Sequence, residues 1–251
     1  MALPRFTTSH VLGRFARGGS SSPVVVATPQ GRFVAKLRGA GEGVPALISE
    51  LIVGALADRL GLPVPERALI DLSPELVSDD RNDELADLLQ RSVGLNVGLR
   101  LLDGARSPRP EELAALDDDF ALRVLWLDGL TLNLDRTHAN PNLLFWKQRP
   151  WLIDHGAALS FHYDWSRVTE DSPREGWSYS GHVFEARTEL LATLDPLLAS
   201  LVTPAALEAA LAQVPDELLA SSSSDSPLRA RAAYGAFLWK RLKLPRPFAS
   251  S

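Results

Sequence analysis

Asp135 and Asn140 stand five residues apart in the polar run Asn133-Leu-Asp135-Arg-Thr-His-Ala-Asn140, and Asp154 follows in Ile153-Asp154-His155-Gly156. One carboxylate can accept or orient the proton of an attacking hydroxyl. An amide oxygen and a second carboxylate can hold magnesium, a hard cation that prefers oxygen ligands. The chemistry that needs such a set is phosphoryl transfer, with Asp135 as the base and Asn140 and Asp154 as metal ligands. Asp and Asn often serve only as turn formers. That reading explains any one of these residues, but it does not foresee a lysine on an upstream strand or a glutamate on the helix after it.

Both are present. Lys36 ends the β-favouring run Phe33-Val34-Ala35-Lys36, which resembles a strand lysine that contacts nucleotide phosphates. Glu50 lies fourteen residues on, among the small apolar residues Ala46, Val53 and Ala57. A carboxylate there is costly to bury without a partner, and Lys36 is the candidate. The run Gly18-Gly19-Ser20-Ser21-Ser22 lacks bulky side chains, so its backbone amides and hydroxyls can approach an anion closely. It is neither a Walker A motif nor a regular G-x-G-x-x-G. A phosphate added to Ser20, Ser21 or Ser22 would place about −1.5 to −2 charges where a bound anion's own charges belong and would block binding.

These residues resemble the HipA-like kinases, in particular a compact bacterial branch of them, within the protein-kinase-like and phosphatidylinositol-kinase-like superfamily. The resemblance runs in order through Val34-Ala-Lys36-Leu-Arg-Gly-Ala, Ser49-Glu50-Leu-Ile-Val-Gly54, Leu60-Gly-Leu-Pro-Val-Pro65 and Ser92-Val-Gly-Leu-Asn-Val-Gly98. It continues through Leu127-Asp-Gly-Leu-Thr-Leu-Asn-Leu-Asp135, Asn140-Pro-Asn-Leu-Leu144 and Leu152-Ile-Asp154-His-Gly-Ala157, and spans about residues 15–165. It implies a two-lobed α+β fold of the protein-kinase type, with a β-rich N-lobe over residues 1–104 and a mainly helical C-lobe over 105–251. ATP and Mg2+ would sit in the cleft. Asp135 would be the catalytic carboxylate, with Arg136 bracing its loop and Asn142 adding to it. Asn140 and Asp154 would hold the metal, and Lys36 the phosphates, itself held by Glu50. The phosphoacceptor implied is a Ser or Thr of a protein. Two other readings keep the same motifs: a nucleotide-binding regulatory module that works through a protein partner, and a small-molecule or lipid kinase. The departures are a short chain and His155 in a position where many kinases carry phenylalanine.

Behind these residues the elements read as strands first and helices after. Residues 24–26 and 32–37 form strands joined by Thr28-Pro29-Gln30-Gly31, and residues 45–60 form a helix with Leu47, Ile48, Leu51, Ile52, Ala55 and Leu56 on one apolar face. Residues 64–102 mix strand-like and helical pieces. Asp117-Asp118-Asp119 starts a helix running to about Gly129, since carboxylates favour the positive end of the macrodipole. Strand-like runs at 143–146 and 151–153 suggest a hairpin that returns Asp154 beside Asn140. Helical patterns fill 185–219, Ser221 to Ser224 read as a linker, and 228–242 read as a last helix with a solvated basic end at Lys240, Arg241 and Lys243.

Composition sets the outer bounds. The 251 residues carry no cysteine, which excludes a disulfide scaffold, a thiolate zinc site and a cysteine nucleophile. Zinc on His138 and His155 is disfavoured beside oxygen ligands, so His138 is expected to support its loop by hydrogen bonding. Net charge is −5, so no overall basic field draws the chain to nucleic acid or anionic lipid. No segment reads as a membrane span or secretory signal, and a cytoplasmic protein is expected. Trp126, Trp146 and Trp151 sit in apolar runs and read as core. There are 22 arginines and four lysines, and Lys36 is the only lysine before residue 147.

Overall fold

The computed structural model describes residues 2–15, 22–80, 82–222 and 226–249. Its N-terminal part is a closed barrel of five strands in the order β1-β2-β3-β5-β4. These are β1 (Arg5–Arg14), β2 (Val24–Thr28), β3 (Gly31–Lys36), β4 (Arg67–Ser78) and β5 (Gly94–Arg100). The expected β2–β3 hairpin forms, and Gly31 takes the positive φ of 113° that its turn requires. β1 closes the barrel by pairing parallel with β4, from Arg5↔Leu69 to Val11↔Ser78. Its interior is filled by Val24, Val26, Phe33, Ala35 and Ile70, and capped by α2 (Asp83–Arg91) through Leu85, Leu88 and Leu89.

α1 (Gly43–Arg59) follows the barrel's third strand. Expected to show one apolar face, it is instead buried without a break from Ala46 to Ala57. The reason is its place in the fold. β5 packs on one side, while α4 (Asp118–Thr131), α6 (Pro204–Leu211) and α7 (Asp216–Ser222) pack on the others. A helix apolar all round is one with no solvent side. Glu50 is therefore not a residue at the edge of a stripe: it is 0% exposed.

α4 starts where its acidic cluster predicts, with Asp117 as N-cap accepting from the Phe120 backbone N–H at 2.7 Å. It ends at Leu132, in the left-handed region. The hairpin of β6 (Leu143–Trp146) and β7 (Arg149–Leu152) turns through Lys147 and Gln148, both with positive φ, as a two-residue turn with the right twist requires. Trp126 is fully buried, whereas Trp146 and Trp151 are half-buried, ring against ring at 5.3 Å. Short 3-10 turns occupy much of residues 160–190. α5 (Leu191–Leu201), α6, α7 and α8 (Pro227–Arg241) complete the chain, with α3 (Pro110–Ala114) earlier, between barrel and α4. No single helix among the described residues is long and apolar enough to cross a membrane.

Two expectations fail at the C-terminal end. Of the expected linker Ser221 to Ser224, Ser221 and Ser222 belong to α7, and Ser223 and Ser224 lie outside the described residues. Arg241 is not a solvated helix end: it is 0% exposed and donates from Nε and Nη2 to the Gly129 carbonyl at 3.0 and 2.9 Å. Burial pushes its pKa down to about 10 against the pull of Tyr179 and Glu175. Lys240 remains half-exposed and pairs with Glu170. Gly129 also leaves room for Tyr179 and Phe248 to pack beside that carbonyl. A Cβ there would lie 2.1 Å from the Tyr179 hydroxyl and 2.8 Å from the Phe248 Cβ. Gly129→Ala is expected to destabilise the protein by about 2–3 kcal/mol through overpacking. A drop of the thermal midpoint by roughly 4 °C or more checks it.

His162 is buried under Tyr234, 3.0 Å from its hydroxyl, and burial holds its pKa down at about 3. The unfolded chain binds that proton below about pH 6.5, the folded chain only near pH 3. This contribution is therefore complete above pH 6.5 and is lost on acidification, by at most about 1.4 kcal/mol per pH unit. Denaturant titrations at pH 7.5, 6 and 5 are expected to show a wild-type decline that is shallower in His162→Phe.

Candidate active site

Lys36, at the end of β3, is 6% exposed and placed opposite Val97 of β5. Its Nζ contacts Glu50 Oε1 of α1, and lies 2.6 Å from Asp154 Oδ1, 118 residues away in the chain. Burial opposes the ammonium charge, but the Glu50 and Asp154 carboxylates outweigh it and push the pKa of Lys36 above its ordinary value. Burial also pushes Glu50 up, against the pull of Lys36. The same Lys36 overcomes burial at Asp154 and draws that carboxyl below its usual range. Glu50 Oε1 further accepts from the His155 backbone N–H at 2.5 Å, which fastens the segment after β7 to α1.

The hairpin register pairs Leu143 with Leu152, and Ile153 N donates to Asn142 O at 3.0 Å. That returns Asp154 to the loop carrying Asp135. Asp135 Oδ2 accepts from the side-chain amides of Asn140 and Asn142, each at 2.9 Å. With its amide nitrogen committed to Asp135, Asn140 keeps its oxygen for a ligand. Asp135, Asn140 and Asp154 line one cavity of about 1130 Å³. Lys36 and Asp154 line a second, of about 500 Å³, between the barrel and the hairpin, walled by Val25, Val34, Leu99 and Leu144. The two cavities meet at Leu144, Ile153 and Asp154.

Arg136 does not face either cavity. It is 0% exposed, donates from Nε to Asp128 Oδ2 at 2.6 Å and from Nη1 to Asn142 O at 2.8 Å, and so positions the loop from behind. Asp128 was missed in the sequence and is the hub of this arrangement. Besides Arg136 it accepts from Asn133 Nδ2 at 3.0 Å, while Asn133 Oδ1 accepts from the Asp135 backbone N–H at 3.2 Å. His182 Nδ1 accepts from the Phe184 N–H at 3.0 Å, which fixes Nε2 as the donor to Asp128, also at 3.0 Å. Burial works against the Asp128 carboxylate, but Arg136 and His182 overcome it and hold its pKa at about 2. The signal available was an aspartate among the apolar residues of α4.

Of the Gly18–Ser22 loop, Gly18, Gly19, Ser20 and Ser21 lie outside the described residues. Ser22 is described and takes a positive φ of 42°. His138 is exposed on the rim of the larger cavity and makes no hydrogen bond to a described residue, so it does not support the loop as expected. His155 is buried, with its pKa pushed down to about 3 chiefly by burial. Among the described residues no cluster of three His, Cys, Asp or Glu could hold a metal by itself. The cavity donors Asp154, Asn140 and Asp135 are all oxygen donors, a set that suits magnesium shared with phosphate oxygens.

A β-barrel followed by helices, with a buried Lys–Glu pair facing an Asp/Asn loop, defines a kinase-like α+β fold. The chain is similar to the crystal structure of the Helicobacter pylori proinflammatory kinase CtkA, with a TM-score of 0.61 over 98% of each chain at 10% sequence identity. At that identity the likeness concerns the fold. No curated protein sequence matches. The family model described as HipA-like kinase matches residues 9–226, and the chain belongs to that family. The family fixes the coarse activity, that of a kinase.

Asp128→Asn keeps the size of the hub but leaves the Arg136 guanidinium buried without a counter-charge. The expected cost is about 3–5 kcal/mol of stability, read by denaturant titration. At a temperature where the variant is still folded, kcat should fall by tenfold or more, with the KM for nucleotide changed far less.

Proposed function

We propose that the protein is an ATP- and magnesium-dependent phosphotransferase acting on a serine or threonine hydroxyl of a protein. The observation that carries this reading is the meeting of two cavities at Asp154. One holds Lys36 and has apolar walls suited to a nucleotide base, and the other holds Asp135. On this reading the barrel with α2 is an N-terminal lobe within residues 1–104, residues 105–251 form the C-terminal lobe, and both belong to one catalytic unit.

Lys36 holds the nucleotide phosphates with its charge guaranteed by Glu50. Asp135 is oriented by Asn140 and Asn142 so that its carboxylate faces the acceptor hydroxyl. As the acceptor oxygen bonds to the γ-phosphorus, the bond from that phosphorus to the β-phosphate oxygen breaks, ADP leaves, and Asp135 takes the hydroxyl proton. Asn140 and Asp154 are the residues that would hold magnesium, which neutralises charge on the phosphates when bound. Asp154 then has two cationic partners to serve, Lys36 and the metal. Arg136 and Asp128 act only through the loop. A supply of ATP places the reaction in the cytoplasm.

Incubation with γ-labelled ATP and magnesium tests the reading. Wild-type protein is expected to transfer label or hydrolyse ATP, and Asp135→Asn to lose at least about a hundredfold of that rate, the usual lower range for removing a general base. Asp154→Ala is expected to lose the magnesium dependence together with the rate. Equal turnover by all three proteins would sink the proposal.

A further inference from the structure

Leu134 sits between Asn133, which is wholly buried, and Asp135, which two asparagines hold, so its backbone is fixed. Its side chain is nevertheless 68% exposed. It lines the larger cavity together with Leu113 of α3, Val183 and Phe184. The last two are placed there by an antiparallel contact beside the loop, with Thr137 bridging His182 and the Val183 N–H donating to Arg136 O at 3.0 Å. The acceptor side of Asp135 thus presents the exposed Leu134 on rigid backbone, backed by Val183 and Phe184, which are nearly buried at 7% and 4%.

Charge on the same wall is one-sided. Glu42 and Asp135 line it, as does Asp154, which Lys36 already pairs, and among the described lining residues the one guanidinium is Arg187. Arg187 is already committed to Ala114 O at 3.0 Å, Asp117 O at 3.2 Å and Asp118. Glu42, the N-cap of α1, makes no hydrogen bond to a described residue, and its Oε2 lies 2.9 Å from where a Cβ on Gly156 would stand. Burial, reinforced by Asp154 and opposed by Lys36, pushes its carboxyl above the ordinary range. An anionic acceptor would meet repulsion here, and a basic one attraction. At about 1130 Å³ the cavity also exceeds the roughly 300–1,000 Å³ of small-molecule sites.

We propose that the acceptor Ser or Thr is presented on an extended polypeptide segment, flanked by a large apolar side chain seated on Leu134, Val183 and Phe184 and by a Lys or Arg that reaches Glu42. Leu134 and Glu42 are then specificity-determining residues. This rests on the function proposed above, so the first arm of the test measures turnover of γ-labelled ATP by the full chain and by Asp135→Asn. The second arm offers the same protein synthetic peptides with one central Ser, whose neighbours vary among Gly, Leu, Phe, Asp and Arg. Vesicles of phosphatidylinositol in phosphatidylcholine are offered alongside. Peptides combining Leu or Phe with Arg should be labelled about tenfold faster than Gly-flanked ones, the scale of one well-seated apolar side chain, and Asp-flanked ones slowest. Leu134→Ala should collapse the Leu-to-Gly ratio of kcat/KM by about tenfold. Glu42→Gln should abolish the Arg-over-Asp preference and Glu42→Lys should reverse it. Three results overturn the assignment while Asp135-dependent turnover persists: a flat peptide profile, label passing to the vesicles and to no peptide, or a profile that neither Leu134→Ala nor the Glu42 variants move. Absence of any Asp135-dependent turnover overturns both readings together.

Discussion

Two carboxylates share one buried lysine, one of them wholly buried and the other at the edge of the cavities. Lys36 and Glu50 are 6% and 0% exposed, and Asp154 joins them from the far side of the chain. Taking such charges out of water costs several kcal/mol each, and a buried pair seldom repays that as stability. What it does here is restrict assembly. The lysine comes from the barrel, one carboxylate from the central helix α1 and the other from the segment after the β6–β7 hairpin. Any docking that separates Lys36 from Glu50 leaves an uncompensated buried charge, so barrel and helix meet in one way, and Asp154 brings the hairpin onto the same lysine. The His155 amide on the Glu50 carboxylate and the Ser49 hydroxyl on Ala158 O, at 2.8 Å, hold the same segment by two further hydrogen bonds.

A second buried polar cluster does for Asp135 what the first does for Lys36. Asp128 touches nothing in the cavity, yet it fixes Asp135 by two routes. Asn133 holds the backbone N–H of Asp135, and Arg136 holds Asn142, whose amide bonds the carboxylate. The loop itself is polar and partly exposed, so without these anchors it would have little to keep its geometry. Rigid support behind a half-buried carboxylate is what orientation-dependent chemistry requires. The same cluster reaches His182, and through it sets the Val183–Phe184 wall facing Asp135. One carboxylate therefore couples the loop that carries Asp135 to the surface that faces it.

What could be read from the sequence was the chemistry at short range. Lys36 on a β-favouring run, the Asp135-to-Asn140 spacing, the β2–β3 turn and the Asp117 cap each depend on a few neighbouring residues, and the structure places Lys36, Asp135 and Asn140 on two cavities that meet at Asp154. What escaped depends on partners far along the chain. β1 needs β4, beginning with Arg5 against Leu69, and its own alternation gives no sign of a parallel neighbour. The burial of α1 on all sides follows from α4, α6 and α7 arriving later in the sequence. Arg241 looks like an ordinary basic helix end until Gly129, 112 residues earlier, offers it a carbonyl. Asp128 is conspicuous only once His182 and Arg136 are known to converge on it.

Backbone strain follows the same map. Of the seven described non-glycine residues with positive φ, six fall between residues 132 and 159: Leu132, Asn142, Lys147, Gln148, Asp154 and Leu159. Lys147 and Gln148 make the hairpin turn. The other four stand at the joints of the segments carrying Asp135 and Asp154: the end of α4, the entry to β6, the exit from β7 and the start of the 3-10 turn Ser160–Tyr163. Each costs on the order of 1–3 kcal/mol unless glycine or a tolerant residue fills it. Elsewhere the chain uses glycine, as at Gly31 and Gly61. At residues 142 and 154 glycine would relax the backbone but remove the amide that holds Asp135 or the carboxylate that meets Lys36. Asn and Asp are the residues that tolerate the left-handed region best after glycine, and they supply the needed groups as well. At these two positions the side-chain chemistry and the turn of the backbone select the same residue types. Leu132 and Leu159 have no such excuse; the Leu159 N–H bond to Thr131 O at 2.7 Å and full burial of the Leu159 side chain hold that strain in place.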